Sequence, residues 1–172
     1  MSDSSSSLWL RNVLRLTIGL AVGAGAIAGC TAESSQMQRL LKTNACPTCD
    51  LSGTNLEQID LSDADLRGAN LQSTNLQQTD LRDALLIGAD LTEAQMINAD
   101  LDDAIMTNAS LQSAILRNAK LRGADLRGVR FDGANLELAD LSYADLDAEA
   151  LTNAILCDTT LPDGRIEMRD CQ

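Results

Sequence analysis

From Leu51 to Leu161 an apolar side chain recurs at every fifth residue without a slip. There are 23 such positions, 20 of them Leu and the others Met96, Met106 and Phe131. Two residues before each stands a second regular site, which is Ala in 15 cases. The unit shows undisguised in Ala64-Asp65-Leu66-Arg67-Gly68 and again in Ala124-Asp125-Leu126-Arg127-Gly128. A period of five fits neither regular element. On an α-helix each step of five advances about 140°, so the leucines spiral round the rod and bury no stripe. On a flat strand an odd step sends successive leucines to opposite faces. The alanine and the leucine, two apart, do face the same way in extended chain. All the pairs point inward only if the chain also turns after each unit. Four such turns close a square of about 20 residues, and squares stacked at roughly 4.8 Å make a rod about 27 Å long. Leu takes the centre and Ala the neighbouring inward site because two larger side chains do not fit at interior density. These inward residues read as core, not as ligands.

An uninterrupted A(D/N)LXX repeat resembles the pentapeptide-repeat proteins. The resemblance implies an all-β solenoid, a right-handed quadrilateral parallel β-helix, and supplies the handedness and the four-sidedness. The inward and outward assignment follows from the spacing itself. Both ends of such a rod need caps. Thr31–Thr43 has Met37, Leu40 and Leu41 at helical spacing with Glu33 in its first turn, which predicts a short N-terminal capping helix. At the far end Pro162-Asp163-Gly164 breaks the repeat as a turn, and the tail folds back. Glu149 is an acid at an inward site, so the last coil is expected to bulge there and let it reach solvent.

The amino end reads as an export signal. Arg11 and Arg15 precede Leu16–Gly29, which carries no charge and is too short and glycine-rich for a comfortable membrane span. The segment ends Ile27-Ala28-Gly29-Cys30, which resembles a bacterial lipobox; acylation of Cys30 then anchors the mature chain in a membrane. A soluble exported protein, cut after Ala26-Ile27-Ala28, and an uncleaved anchor over Leu8–Ala28 are the alternatives. The organisation is therefore a signal segment (1–29), a capping helix and CxxC lead-in (30–48), the repeat β-helix (49–163) and a disulfide-tied tail (164–172).

Five cysteines less the lipidated Cys30 leave four in an oxidising compartment. Cys46-Pro47-Thr48-Cys49 stands where the first coil begins, and Cys157 and Cys171 bracket the closing tail. Local pairing, Cys46 with Cys49 and Cys157 with Cys171, clamps both caps; three pairings are formally open. The alternative for CxxC is a thiol redox site, which wants its first cysteine at a helix N-terminus, whereas here a helix precedes it. The exported amino end together with CPTCDLSGTNL and LCDTTLPDG resembles secreted cyanobacterial members of the family, which implies periplasm or thylakoid lumen.

Composition removes several classes of function. With no histidine in the chain, a His-based triad, a His-ligated zinc site and a His-bound haem are excluded. Thirteen basic against 25 acidic side chains give a net charge of −12, which argues against phosphate-mediated nucleic-acid binding. No residue pattern points to a cofactor, a metal, a catalytic constellation or a small-molecule substrate.

Outward residues 20 apart should stack as ladders. Arg82, Asp102 and Arg122 alternate in sign, Arg117 is set over Glu137, and Arg127 over Asp147. Asp60, Asp80 and Asp100 stack like charges as a solvated acidic face. Arg117, Lys120, Arg122, Arg127 and Arg130 form a belt round one coil. Leu85 and Ile105 stand where Asp or Asn usually precedes the central residue, and with Ile87 they should form an exposed apolar strip; Ile97 also points outward. These four are the candidate interface. The expected function is a non-enzymatic, lipid-tethered binding or scaffold module, engaging a protein partner or a second copy. The family resemblance adds an alternative, mimicry of DNA toward gyrase, which the basic belt and an exported location oppose.

Overall fold

The computed structural model describes residues 32–171. The signal segment, Cys30 and Thr31 lie outside them. No helix among the described residues is long and apolar enough to cross a membrane.

Helix α1 (Ala32–Thr43) opens the described chain, followed by the coiled repeat, a 3-10 turn at Ala148–Leu151, and a two-stranded antiparallel hairpin of β1 (Thr159–Thr160) and β2 (Ile166–Glu167). The repeat contains no long strand. Each five-residue unit contributes one bridging residue, paired in parallel with the residue 20 positions on, from Ala45 with Asp65 to Asp140 with Thr160. Four units therefore make one coil. The ladder begins at Ala45, so Cys46 and Cys49 belong to the first turn of the rod. Cys46 occupies a central position and Cys49 the small inward one, both buried.

Corners arise from one repeated turn. The residue after next from each centre through Leu141 adopts a left-handed φ, as in Asp63 (φ 58°), Asp83 (φ 59°) and Asn98 (φ 58°). It is the third residue of a turn closed by bonds such as Ala64 N–H to Leu61 O at 3.1 Å. A single positive φ at that place is the mark of a type II turn, which is why Gly, Asn, Asp and Ser crowd the fifth position of the unit. Leu138 (φ 61°) and Tyr143 (φ 62°) are bulky exceptions, both exposed.

Between corners the centre N–H donates up the rod (Leu61 to Asp80 O, 2.7 Å) and the residue before it donates down (Asp80 to Ile59 O, 3.0 Å). Every central residue from Leu51 to Leu141 is buried, and so are the alanines beside them. Threonine at the small site is accommodated because its hydroxyl finds a ladder carbonyl: Thr74 Oγ1 donates to Leu51 O at 3.0 Å and Thr79 Oγ1 to Leu56 O at 2.8 Å.

Helix α1 caps the first coil. Leu40 is fully buried, Met37 and Leu41 pack beside it, and Gln36 Oε1 accepts the N–H of Asp50 at 2.6 Å. At the other end the rod loosens. The bridge due between Arg130 and position 150 is missing from the otherwise regular series, and the 3-10 turn takes its place. Glu149 is exposed there, on the rim of a notch that Arg130, Asp132 and Asn153 also line. A carboxylate at an inward site is more cheaply accommodated by opening one turn of backbone than by burial.

A candidate binding face

Each five-residue unit presents three side chains outward, and the four sides carry different ones. The side centred on Cys46, Leu66, Leu86, Met106, Leu126 and Leu146 shows Ala45 and Pro47 on its first rung and Asp65 and Arg67 on its second. Leu85 and Ile87, then Ile105 and Thr107, then Asp125 and Arg127 follow, and exposed Asp145 and Asp147 stand on the last. Parallel bridges join Asp65 to Leu85, Leu85 to Ile105, and Ile105 to Asp125. Ile87 is 40% and Ile105 36% exposed, while Leu85 is half-buried between them. The expected strip of Leu85, Ile87 and Ile105 is thus brought together on adjacent rungs.

Ile97 is not part of it. Ten residues from Ile87 is half a coil, so Ile97 lies on the opposite side of the rod, half-buried, on the coil beneath exposed Ile115. Outward hydrophobes near in sequence can lie on opposite sides; position within the coil decides.

The strip is bounded above and below by two matching ion pairs. Arg67 forks onto Asp65 (Nε to Oδ1 2.8 Å, Nη2 to Oδ2 2.7 Å). Arg127 forks onto Asp125 in the same way (2.8 and 2.5 Å). The arginine's hydrogen bonds hold each carboxyl below its ordinary range. Both arginines are exposed, so each fork contributes little to stability.

The residue before each centre has a second task that the spacing does not reveal. Its side-chain oxygen accepts the N–H of the residue after the centre, the one backbone donor of the unit that neither ladder nor turn uses. Asp65 takes Arg67 N–H at 3.3 Å, Asn75 takes Gln77 at 3.2 Å, Asp90 takes Thr92 at 3.0 Å, and Asp125 takes Arg127 at 3.3 Å. This local cap is why Asp and Asn dominate the site. Leu85 and Ile105 cannot accept. On two successive rungs of one side, the N–H groups of Ile87 and Thr107 are left without the cap; on the opposite side Ile115 and Ile155 withhold it too, but on rungs separated by that of Asn135.

The other charges correct simple stacking at 20 residues. Arg117 does meet Glu137 (3.0 Å), but Arg127 turns to Asp125 and to Asp145 (3.5 Å) rather than to Asp147. Side chains lean, so partners 18 apart also meet, as with Gln72 and Asp90 (2.5 Å). The Asp60, Asp80 and Asp100 column is not a bare acidic stack: Arg82 pairs with Asp80 at 2.6 Å and Lys120 with Asp100 at 3.0 Å. Asp60 is itself buried, with its Oδ1 accepting from Ser62 Oγ at 2.7 Å. Burial pushes the Asp102 carboxyl up.

A family model for pentapeptide repeats matches residues 49–86, 84–123 and 119–161, in eight copies. The chain belongs to the pentapeptide-repeat family. Its fold is the family's β-helix with a short helix added. Solved pentapeptide repeat proteins are similar to it. One from the cyanobacterium Cyanothece 51142 is 28% identical over 72% of this chain and 98% of its own, with a TM-score of 0.44. One from the Arabidopsis thaliana thylakoid lumen is 25% identical over 73% and 80%, at 0.48. A third, from Nostoc PCC 7120, is 35% identical over 53% and 71%, at 0.46. No curated protein matches the sequence.

In this pentapeptide-repeat protein the four cysteines among the described residues are joined as Cys46–Cys49 and Cys157–Cys171. The Cys46–Cys49 bridge lies in the core of the first turn, out of reach of a substrate disulfide. Among the described residues no cluster of three or more potential ligands is placed to hold a metal ion.

Proposed function

We propose that this protein is a non-enzymatic binding module, exported and held at a membrane by lipid on Cys30, which engages protein through the side bearing Leu85, Ile87 and Ile105. The observation that carries this reading is the pair of surrendered caps at apolar residues on adjacent rungs between two ion-pair forks. At Leu85 and Ile105 the chain gives up a backbone hydrogen bond, worth about 0.5–1.5 kcal/mol each, and exposes apolar surface in return. Local rules broken without structural gain mark functional sites.

The double variant Leu85→Asn/Ile105→Asn tests it. Restored caps offset the lost partial burial, so stability by thermal melting should stay within about 1 kcal/mol of wild type, a shift of roughly 2–4 °C or less for a chain of this size. Binding to envelope proteins in pull-downs should be lost. A large drop in stability, or unchanged binding, removes the proposal.

The location is tested separately. Palmitate should label the wild-type chain in membrane fractions and be absent from Cys30→Ala, which should appear in the soluble exported fraction. Equal labelling of both excludes the lipid anchor.

A further inference from the structure

We infer that the partner of this side is a second copy of the same chain, joined about a two-fold axis parallel to the rod. The inference rests on the reading of Leu85, Ile87 and Ile105 as a binding face and adds its occupant.

The argument is one of self-complementarity. Such an axis reverses the strand direction while keeping every rung level, so the residue before a centre meets the residue after the same centre in the partner copy. Asp65 then faces the partner's Arg67, and Asp125 faces the partner's Arg127; the last rung alone sets like charges together, Asp145 against the partner's Asp147, where Arg127 of the same copy lies 3.5 Å from Asp145. Between them Leu85 faces the partner's Ile87, and Ile105 the partner's Thr107. Each bidentate fork, already formed within one copy, becomes half of an alternating square of four charges above and below an apolar centre. Charge-alternating rims of this kind set register and orientation more than raw affinity.

The corners agree. One edge of this side carries the exposed carboxylates of Asp63, Asp83 and Asp103, and the other the uncharged corner of Gly68, Gly88 and Asn108. The parallel axis sets acidic edge against uncharged edge. At Gly88 the left-handed corner (φ +65°) has open space where a side chain would stand, so nothing beside Ile87 holds a partner away.

The antiparallel alternative, with the axis across the rods, sets Asp65 over Asp125, Arg67 over Arg127 and Asp83 over Asp103, like against like on both ion-pair rungs and along the acidic edge. The parallel arrangement also places both copies of α1 at the same end, as two chains tethered to one membrane through their amino ends require. One side of the rod, roughly 27 Å by 10 Å, is well below the ~800 Å² per partner of a standard interface. The pairing is therefore weak, with dissociation in the micromolar range, and tethering raises the effective concentration.

Sedimentation velocity of the full chain in mild detergent, from about 1 to about 100 µM, tests this. Wild type should move from monomer to dimer across that range. Asp65→Arg/Asp125→Arg makes both fork rungs basic, and Arg67→Asp/Arg127→Asp makes both acidic. Each alone should dimerise at least tenfold more weakly, with circular dichroism unchanged, and the two mixed in equal amounts should recover wild-type dimerisation. A wild type monomeric at 100 µM, an undiminished dimer in either variant, or a mixture that stays monomeric overturns the inference. If wild type is monomeric while Leu85→Asn/Ile105→Asn still loses its envelope partner, self-pairing falls and the binding face stands.

Discussion

Leu86→Ala should destabilise the protein by about 3–5 kcal/mol, the upper part of the range for truncating a buried leucine. Leu86 is fully buried at the centre of a coil, between Leu66 below and Met106 above. Cavities are cheaper where neighbours can collapse into them. Here they cannot, because the spacing of the coils is fixed by backbone ladders on every side: Leu66 N–H to Leu85 O at 2.9 Å and Leu86 N–H to Ile105 O at 2.7 Å. A loss of that size is a large share of the roughly 5–15 kcal/mol that a folded domain possesses. Chemical denaturation with the midpoint and slope recorded measures it. One residue earlier, Leu85 should accept Asn at little cost. Two adjacent leucines with such different tolerance identify the inward and outward registers of the coil. A loss below 1 kcal/mol at Leu86 contradicts the packed square core.

Cys171→Ser should cost about 3 kcal/mol in the chain-entropy account of a loop this long, and its effect should concentrate at the carboxyl end. The Cys157–Cys171 bridge spans 14 residues and pins a tail that completes the last coil. Asp170 N–H donates to Leu156 O at 2.9 Å, and Asp170 Oδ2 accepts Leu156 N–H at 2.9 Å. Arg169 Nη2 donates to the carbonyls of Leu151 (3.2 Å) and Ala154. Where a solenoid ends, such groups stand in for the missing next coil. Hydrogen exchange should therefore quicken first over residues 150–161 in Cys171→Ser, while the coils around Leu81 and Leu101 keep their protection. Uniform quickening along the whole rod contradicts a local cap. The short Cys46–Cys49 loop is worth less by the same account, although both cysteines are core residues.

Much of this was legible in the residues because a period of five hides its leucines only if the chain turns after each unit, while the four-sidedness came from the family resemblance. Glu149 announced its own bulge, since an acid cannot sit in that core at small cost. The strip of Leu85, Ile87 and Ile105 was legible as well, through its spacing of 20. The cap that Asp65, Asn75 and Asp90 supply to the next turn was not, because it depends on which backbone donors the ladder leaves over. Nor was the choice of Arg127 for Asp125 and Asp145, which is decided by the lean of long side chains between rungs. Arg82 and Lys120 relieve the acidic column for the same reason.

The sequence by itself therefore determined the coil, its inward residues and the need for caps at both ends, all consequences of burying a strictly periodic apolar set. Only the tertiary structure decided what the outward residues of one side do to each other: that two ion-pair forks bracket the strip, and that its two rungs lack a hydrogen bond the rungs bounding it have. Burial is a property of each unit and repeats with it, whereas a surface is made by neighbours from different coils, whose side chains meet only once the coils are stacked.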